Sequence, residues 1–217
     1  MKSLRILFLT LSLVFISVVS IAQNKPTVSK LSYEEVSSYL KPASSKSNIY
    51  KDKLFLSYGD LKAFKQTGKA NLVISYPNLK IEDKDAAAYI AERGKDFASE
   101  FEEGKTTSQN AFMEKWNNKV KGISLVNEEA PYELHLFINN LDMGSVGGAM
   151  WGMGANAGGA SISGCLALID KSSNTPVSVV LIKGIQGKGT NGFIIYGEFK
   201  RMNLAFEKLA EGMAKTR

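Results

Sequence analysis

The sequence has few of the residues on which metal and catalytic sites depend. Its 217 residues include one cysteine, Cys165, and one histidine, His135. A zinc site needs three or four ligands, which these two side chains cannot supply. No Asp-x-Asp-x-Asp calcium loop and no Gly-x-Ser-x-Gly nucleophile elbow occurs. We therefore predict no cofactor, no bound metal and no catalytic residue, and the chain is not expected to be an enzyme.

The two scarce side chains have structural interpretations. A single cysteine forms no internal disulfide, so the fold depends on packing. Cys165 lies in an apolar strand pattern, which predicts a buried and inert thiol. His135 lies on a strand face between Glu133 and Phe137, which predicts a structural or surface histidine.

Two glycine-containing stretches resemble nucleotide-binding motifs but lack essential positions. A phosphate loop needs a glycine five residues before its Gly-Lys pair and a hydroxyl after the lysine. Ile182 and Gly189 occupy those two places around Gly187 and Lys188. The stretch 152–157 resembles a dinucleotide fingerprint but does not directly follow a strand. Both interpretations are rejected.

The N-terminus carries the clearest signal in the chain. Lys2 and Arg5 precede an apolar run over residues 6–19, and Ser20-Ile-Ala22 supplies small residues two apart. This pattern predicts a secretory signal peptide over residues 1–22, cleaved near Ala22. The run is short for a spanning helix, which needs about 20 apolar residues, so a retained anchor is the less favoured alternative.

Export narrows the location and the partners. No cysteine follows the cleavage point, so the mature protein is predicted to be periplasmic or secreted and not a lipoprotein. Loss of Lys2 and Arg5 lowers the net charge from +6 to +4, and both signs are interspersed. A mixed surface of this kind indicates solvation, so nucleic acid is not an expected partner.

The mature chain divides by composition. Residues 23–50 are predicted to form an N-terminal helix and linker, in which Ser32 and Glu35 make a capping box. Residues 51–217 are predicted to form one α/β domain. A glycine-rich insertion interrupts it at residues 143–160, and no charged residue occurs between Met143 and Ile169.

Hydrophobic periodicity predicts the elements of the domain. A strand over residues 71–76 is followed by two helices, one ending at Gly104 and one running from Ser108 to Gly122. Alternation then predicts a strand over residues 132–139 and an antiparallel hairpin over residues 160–185. Five apolar residues at spacings of 3, 4, 3 and 4 predict a C-terminal helix: Phe199, Met202, Phe206, Leu209 and Met213. The fold class is mixed α/β (α+β), with amphipathic helices on a mixed sheet of four to five strands.

The glycine-rich stretch has three interpretations. Glycines 144, 148 and 152 are four residues apart, a spacing that lets membrane helices approach closely, but each glycine weakens a helix by about 1 kcal/mol. A loop between strands is favoured over membrane insertion. The third interpretation is a partner-binding or oligomerising surface. Its candidate anchors are Met150, Trp151 and Met153.

The order of segments in the second half resembles a known group of proteins. "GMGANAGGASISGCLALIDKSSNTPVSVV" combines a glycine-rich entry, a strand, an Asp, a polar turn and a second strand. "KGIQGKGTNG" then leads to "EFKRMNLAFEKLAEGMAK". Residues 70–217 thus resemble uncharacterised exported envelope proteins with a fold related to the TolB amino-terminal domain and the curli secretion lipoprotein. The resemblance implies a three-layer α/β domain that binds envelope components without catalysis.

These observations favour an exported, non-catalytic binding or assembly domain of the bacterial cell envelope. Its expected partners are other envelope proteins or a second copy of itself. One alternative is a membrane-associated or oligomerising protein that uses residues 144–159. The other is an enzyme whose site belongs to no recognised motif.

Overall fold

The computed structural model describes residues 28–145, 158–191 and 194–216. Its helices are α1 (Tyr33–Ser37), α2 (Lys62–Lys65), α3 (Ala86–Arg93), α4 (Lys95–Lys119) and α5 (Glu198–Ala214). Its strands are β1 (Asn48–Tyr50), β2 (Leu54–Gly59), β3 (Gly68–Ser75), β4 (Lys80–Ile81), β5 (Lys84–Asp85), β6 (Ile123–Val126), β7 (Tyr132–Asp142), β8 (Ser161–Asp170), β9 (Thr175–Gln186), β10 (Thr190–Asn191) and β11 (Ile194–Ile195). None of these helices has the length and apolar character needed to cross a membrane.

The main sheet is mixed, as the sequence predicts. Its order is β1-β2-β9-β8-β7-β3-β6, with β3 parallel to both β6 and β7 and the remaining pairs of this path antiparallel. The predicted hairpin is the antiparallel pair β8–β9. The path contains more strands than the four to five expected, because β1 and β6 are edge strands of three and four residues whose alternation is too brief to detect.

Helices α4 and α5 cover one face of the sheet. Phe101, Phe112 and Trp116 of α4 and Met202 and Phe206 of α5 are all buried in the main core. The C-terminal helix predicted from the spacing of apolar residues is confirmed. Burial of large aromatic and aliphatic side chains at this interface is the main contribution to stability.

The break between the two central helices differs from the prediction. Gly94 separates α3 from α4 with a φ of +90°, a left-handed conformation that favours glycine. Gly104 was expected to end a helix, yet α4 runs through it. A Cβ atom at Gly104 would lie 2.6 Å from Cδ1 of Phe199, so this glycine allows α5 to approach closely.

The N-terminal segment covers part of the opposite face. Ser32 and Glu35 form the predicted capping box at the start of α1. Val36 is fully buried against Phe137 and Cys165 in a second, smaller apolar cluster. The sheet therefore has helices on one face and residues 31–40 on part of the other. The division of the chain at residue 50 remains a prediction.

Candidate functional site

The predicted partner-binding anchors lie beyond the described part of the chain. Met150, Trp151 and Met153 fall outside the described residues, as does the signal peptide. The structure does describe the residues on both sides, up to Ser145 and from Gly158 onward. We call this region, where the two ends of the glycine-rich segment meet, the neck.

Arg201 of α5 is the central side chain of the neck. Its side chain points inward, and the residue is 1% exposed. Its Nε atom donates to the carbonyl oxygen of Met143 at 3.0 Å, and Nη2 donates to that of Gly144 at 3.2 Å. Its Nη1 atom donates to the carbonyl oxygen of Tyr196 at 2.6 Å. One guanidinium therefore joins the start of the glycine-rich segment to the start of the last helix.

The burial of Arg201 was not expected from the sequence. Arg201 lies off the apolar stripe of the C-terminal helix, so a solvent-exposed charge was the ordinary expectation. A buried charge is unfavourable unless hydrogen bonds satisfy it. Three backbone carbonyls do so here, and no salt bridge to Arg201 occurs within the described residues. Such an arrangement fixes the position of the backbone it binds.

Glycines bring the backbones of the neck into direct contact. Gly144 has a φ of +72°, and a Cβ atom there would lie 2.2 Å from the carbonyl oxygen of Gly158. A Cβ atom at Gly159 would lie 2.1 Å from the carbonyl oxygen of Gly187, and one at Gly187 would lie 2.5 Å from the nitrogen of Ala205. The two ends of the segment therefore meet, and both are tied to α5.

Two carboxylates complete the neck. Glu82 accepts a hydrogen bond from the Met143 N–H at 2.9 Å, and Asp142 accepts one from the Gly144 N–H at 2.7 Å. Burial raises the pKa of Glu82 above its usual range, and the neighbouring Asp142 raises it further against the opposing Met143 bond. These two bonds satisfy the backbone donors of the same residues whose carbonyls bind Arg201.

A second polar cluster lies on the sheet face that residues 31–40 partly cover. The hydroxyl of Ser75 lies 2.7 Å from Nε2 of His135, and Nδ1 of His135 lies 2.9 Å from Oε1 of Glu133. Ser29 donates its N–H to Oε2 of Glu133 at 2.7 Å and its hydroxyl to Oε1 at 2.8 Å. His135 is buried. The cluster joins three parts of the chain: Ser29 before α1, Ser75 of β3, and Glu133 with His135 on β7.

The hydrogen bonds of this cluster indicate which ring nitrogen of His135 carries the proton. Burial acts to raise the pKa of Glu133, but the hydrogen bonds from His135 and Ser29 outweigh it and hold the pKa below the ordinary value. The ionised carboxylate accepts from Nδ1, so we assign the proton to Nδ1 and let Nε2 accept from the Ser75 hydroxyl. This is the hydrogen-bond order of a serine–histidine–carboxylate triad.

Sequence reasoning missed this cluster for a definite reason. Ser75 and His135 are 60 residues apart and meet because β3 and β7 pair in parallel, with Val73 opposite His135 and Ser75 opposite Phe137. That register is not visible in the periodicity of either strand. Within the described ranges, no group of three or more His, Cys, Asp or Glu side chains could hold a metal ion.

Comparisons with known proteins give little further information. No protein-family model and no curated protein matches the chain. Among solved structures, it is similar to a PelC dodecamer from Paraburkholderia phytofirmans, with 13% identity over 73% of this chain and 96% of that one, at a TM-score of 0.37. A single-substitution variant of the same dodecamer gives 12% identity over 76% and 97%, at a TM-score of 0.35. Likeness at this level supports no statement about the present protein.

Proposed function

We propose that this protein is an exported, non-catalytic assembly domain of the bacterial cell envelope that binds its partner through residues 144–159. The partner is a second copy of the chain or another envelope protein. The signal-peptide pattern of residues 1–22 supports the location. The neck supports the role of the segment, and it is the observation on which the proposal depends.

The neck is more elaborate than a connection between two strands requires. Strands β8 and β9 are joined by a turn at Lys171–Asn174, whereas the chain between β7 and β8 extends from Met143 to Ala160. A buried arginine and several glycine contacts hold the two ends of that longer connection together. Long connections fixed by a rigid scaffold are where binding functions concentrate.

The composition of the segment suits protein contact. It has no charged residue, and Met150, Trp151 and Met153 are the types enriched at the centres of interfaces. Elsewhere the described surface exposes few large apolar side chains, namely Val28 and Tyr58. These anchors are therefore the part of the chain whose chemistry best matches a binding surface.

Cross-linking in the envelope tests the proposal. A variant with Met150→Ser, Trp151→Ser and Met153→Ser should lose its cross-linked products, while Val28→Ser, which changes an exposed apolar residue elsewhere, should retain them. Products composed only of this chain identify self-association, and products of other mass identify a different partner. Equal cross-linking of the triple variant and the wild-type protein would refute the proposal.

The chain of hydrogen bonds from Ser75 through His135 to Glu133 favours a second candidate function, ester hydrolysis. In this reaction Ser75 Oγ attacks an ester carbonyl carbon while its proton passes to Nε2 of His135, and the alcohol leaves with that proton. Water then gives a proton to Nε2 of His135 and attacks the acyl carbon; the bond to Ser75 Oγ breaks, the carboxylic acid leaves, and the proton returns to the Ser75 hydroxyl. Glu133 would hold the imidazole in the required tautomer, with its nearest oxygen 2.9 Å from Nδ1.

A fluorophosphonate probe distinguishes this candidate from a structural role. If Ser75 is a nucleophile, the folded protein acquires the phosphonyl adduct, and Ser75→Ala abolishes it. Ser57→Ala, which removes another buried serine hydroxyl of the sheet, should not. An unlabelled wild-type protein, alongside a labelled serine hydrolase, assigns the cluster to fixing Ser29 on the sheet.

A further inference from the structure

A pocket lies where the C-terminal ends of three helices converge, and the neck contributes no residue to it. Its volume is 370 Å³, within the usual range for small-ligand sites, and residues of α2, α4 and α5 and of the segments that follow α4 and α5 line it. Phe64 and Met213, both buried, supply apolar lining together with the half-buried Val120. Lys65, Lys119 and Lys121 also line it, and no acidic residue does.

The pocket is preformed. Gly122 has a φ of +129°, and a Cβ atom there would lie 2.5 Å from the carbonyl carbon of Lys65, so the loop after α4 packs directly on the end of α2. Lys65 donates from Nζ to the carbonyl oxygen of Thr216 at 2.9 Å, which ties the end of α5 to the same place. Phe64 contacts Trp116 of the main core, with ring centroids 6.4 Å apart.

Within the part of the chain that the structure describes, the lining of the pocket holds no acidic side chain to balance its lysines. Lysines near helix C-termini offset the partial negative charge of the last carbonyls, and Lys65 does so through Thr216. Lys119 and Lys121 are exposed and form no salt bridge with any residue in the described ranges. Their ammonium groups therefore remain available beside an apolar lining.

We propose that this pocket binds an anionic amphiphile with a single apolar chain, of the class of medium-chain carboxylates. The carboxylate lies between Lys119 and Lys121, where charge-assisted hydrogen bonds form, and the chain contacts Phe64, Val120 and Met213. Neither a purely polar anion nor an uncharged chain satisfies both halves of the site. This proposal is independent of the role of residues 144–159.

Titration calorimetry with decanoate tests the proposal, with decanol and acetate as the two incomplete ligands. Decanoate should bind with an affinity at least about tenfold higher than either of them, a difference of one charge-assisted contact or one buried chain. The affinity should fall with added salt because the lysines are exposed. Equal binding of decanoate and decanol would overturn the proposal.

Substitutions locate the binding. Lys119→Ala with Lys121→Ala should weaken decanoate binding about tenfold, whereas Lys41→Ala with Lys46→Ala, which removes the same charge from exposed positions elsewhere, should leave it unchanged. The methyl resonance of Met213 should shift on binding. Unchanged affinity in the first variant or an unshifted Met213 resonance would contradict the assignment. So would a protein that binds vesicles containing phosphatidylglycerol but does not bind free decanoate.

Discussion

The Nε atom of Arg201 donates a hydrogen bond to the carbonyl oxygen of Met143 at 3.0 Å, between residues 58 positions apart. Met143 is the first residue of the uncharged stretch, and Arg201 belongs to the last helix. This contact ties the first residue of that stretch to the core of the domain. The stability of the neck can therefore be measured without observing the segment itself.

Arg201→Met should destabilise the protein strongly. The change leaves the carbonyls of Met143, Gly144 and Tyr196 without their buried donor, so we expect the free energy of unfolding to fall by about 3 kcal/mol. Urea unfolding of the variant measures this directly. Lys200→Met, at the adjacent exposed position of the same helix, is the control and should change stability by less than about 0.5 kcal/mol. Similar effects of the two substitutions would contradict the role of Arg201.

Gly187→Ala tests the close contact between the neck and α5. A Cβ atom at Gly187 would lie 2.5 Å from the Ala205 nitrogen, and backbone atoms cannot yield as a flexible side chain does. We expect a loss of about 2 kcal/mol in thermal or urea unfolding. Gly197→Ala is the matched control because a Cβ atom there has no neighbour within 4 Å. A Gly187→Ala protein as stable as this control would show that the backbones are not in contact.

Glu133→Gln should remove a pH-dependent contribution to stability. The folded pKa of Glu133 lies below its ordinary value of 4.5, so the unfolded chain binds more protons as the pH falls below that value. The contribution is complete above pH 4.5 and is lost as the pH falls through the folded pKa. At pH 7 the substitution should lower the free energy of unfolding by about 2 kcal/mol. It should also flatten the acid limb, which is the decline of the free energy of unfolding as the pH falls below 4.5.

Glu128 provides the comparison for this prediction. Its pKa is also lowered, by a hydrogen bond from Lys69, but the carboxylate is exposed, and solvent screens the pair. Glu128→Gln should leave the acid limb as it is in the wild-type protein. If Glu133→Gln left the acid limb as steep as Glu128→Gln does, the Ser29–Glu133–His135 cluster would not couple to folding.

The reactivity of Cys165 measures how well residues 31–40 pack over this side of the sheet. Burial raises the pKa of this thiol to about 12, so it should not react with a disulfide reagent in the native protein at pH 8. Val36→Ala should accelerate the reaction about tenfold by weakening the packing of α1 on Cys165, whereas Glu34→Ala, on the exposed side of α1, should not. Rapid modification of the wild-type thiol would contradict the structure.

The sequence predicts those features that depend on nearest neighbours along the chain. The capping box of Ser32 and Glu35, the β8–β9 hairpin and the C-terminal helix all follow from local spacing, and all three are confirmed. Gly104 shows the limit of such reasoning. A glycine can end a helix or admit a neighbouring one, and the position of Phe199 determines which of the two occurs.

The positions of the site residues depend on contacts between distant parts of the chain. The spacing of residue types along the sequence does not reveal these contacts. Arg201 is buried because carbonyls from residues 143, 144 and 196 reach it, and Ser75 meets His135 through the parallel register of β3 and β7. Neither arrangement alters the periodicity of its own element. The uncharged segment itself was recognised from composition, and its anchors Met150, Trp151 and Met153 remain a prediction.

The central claim is that association depends on the segment held by the neck. Because Gly144 and Gly158 are in contact, a short Gly-Ser linker can replace residues 146–157 without disturbing the domain. If the partner is a second copy, sedimentation velocity over a range of concentrations should show oligomers of the wild-type mature chain and a monomer of the excised one. If it is another envelope protein, that protein should sediment with the wild-type chain in an envelope extract and not with the excised one. The melting temperature should be the same for both chains. An excised chain that sediments as the wild type does, or a wild-type chain that stays monomeric and captures no envelope protein, would contradict the account.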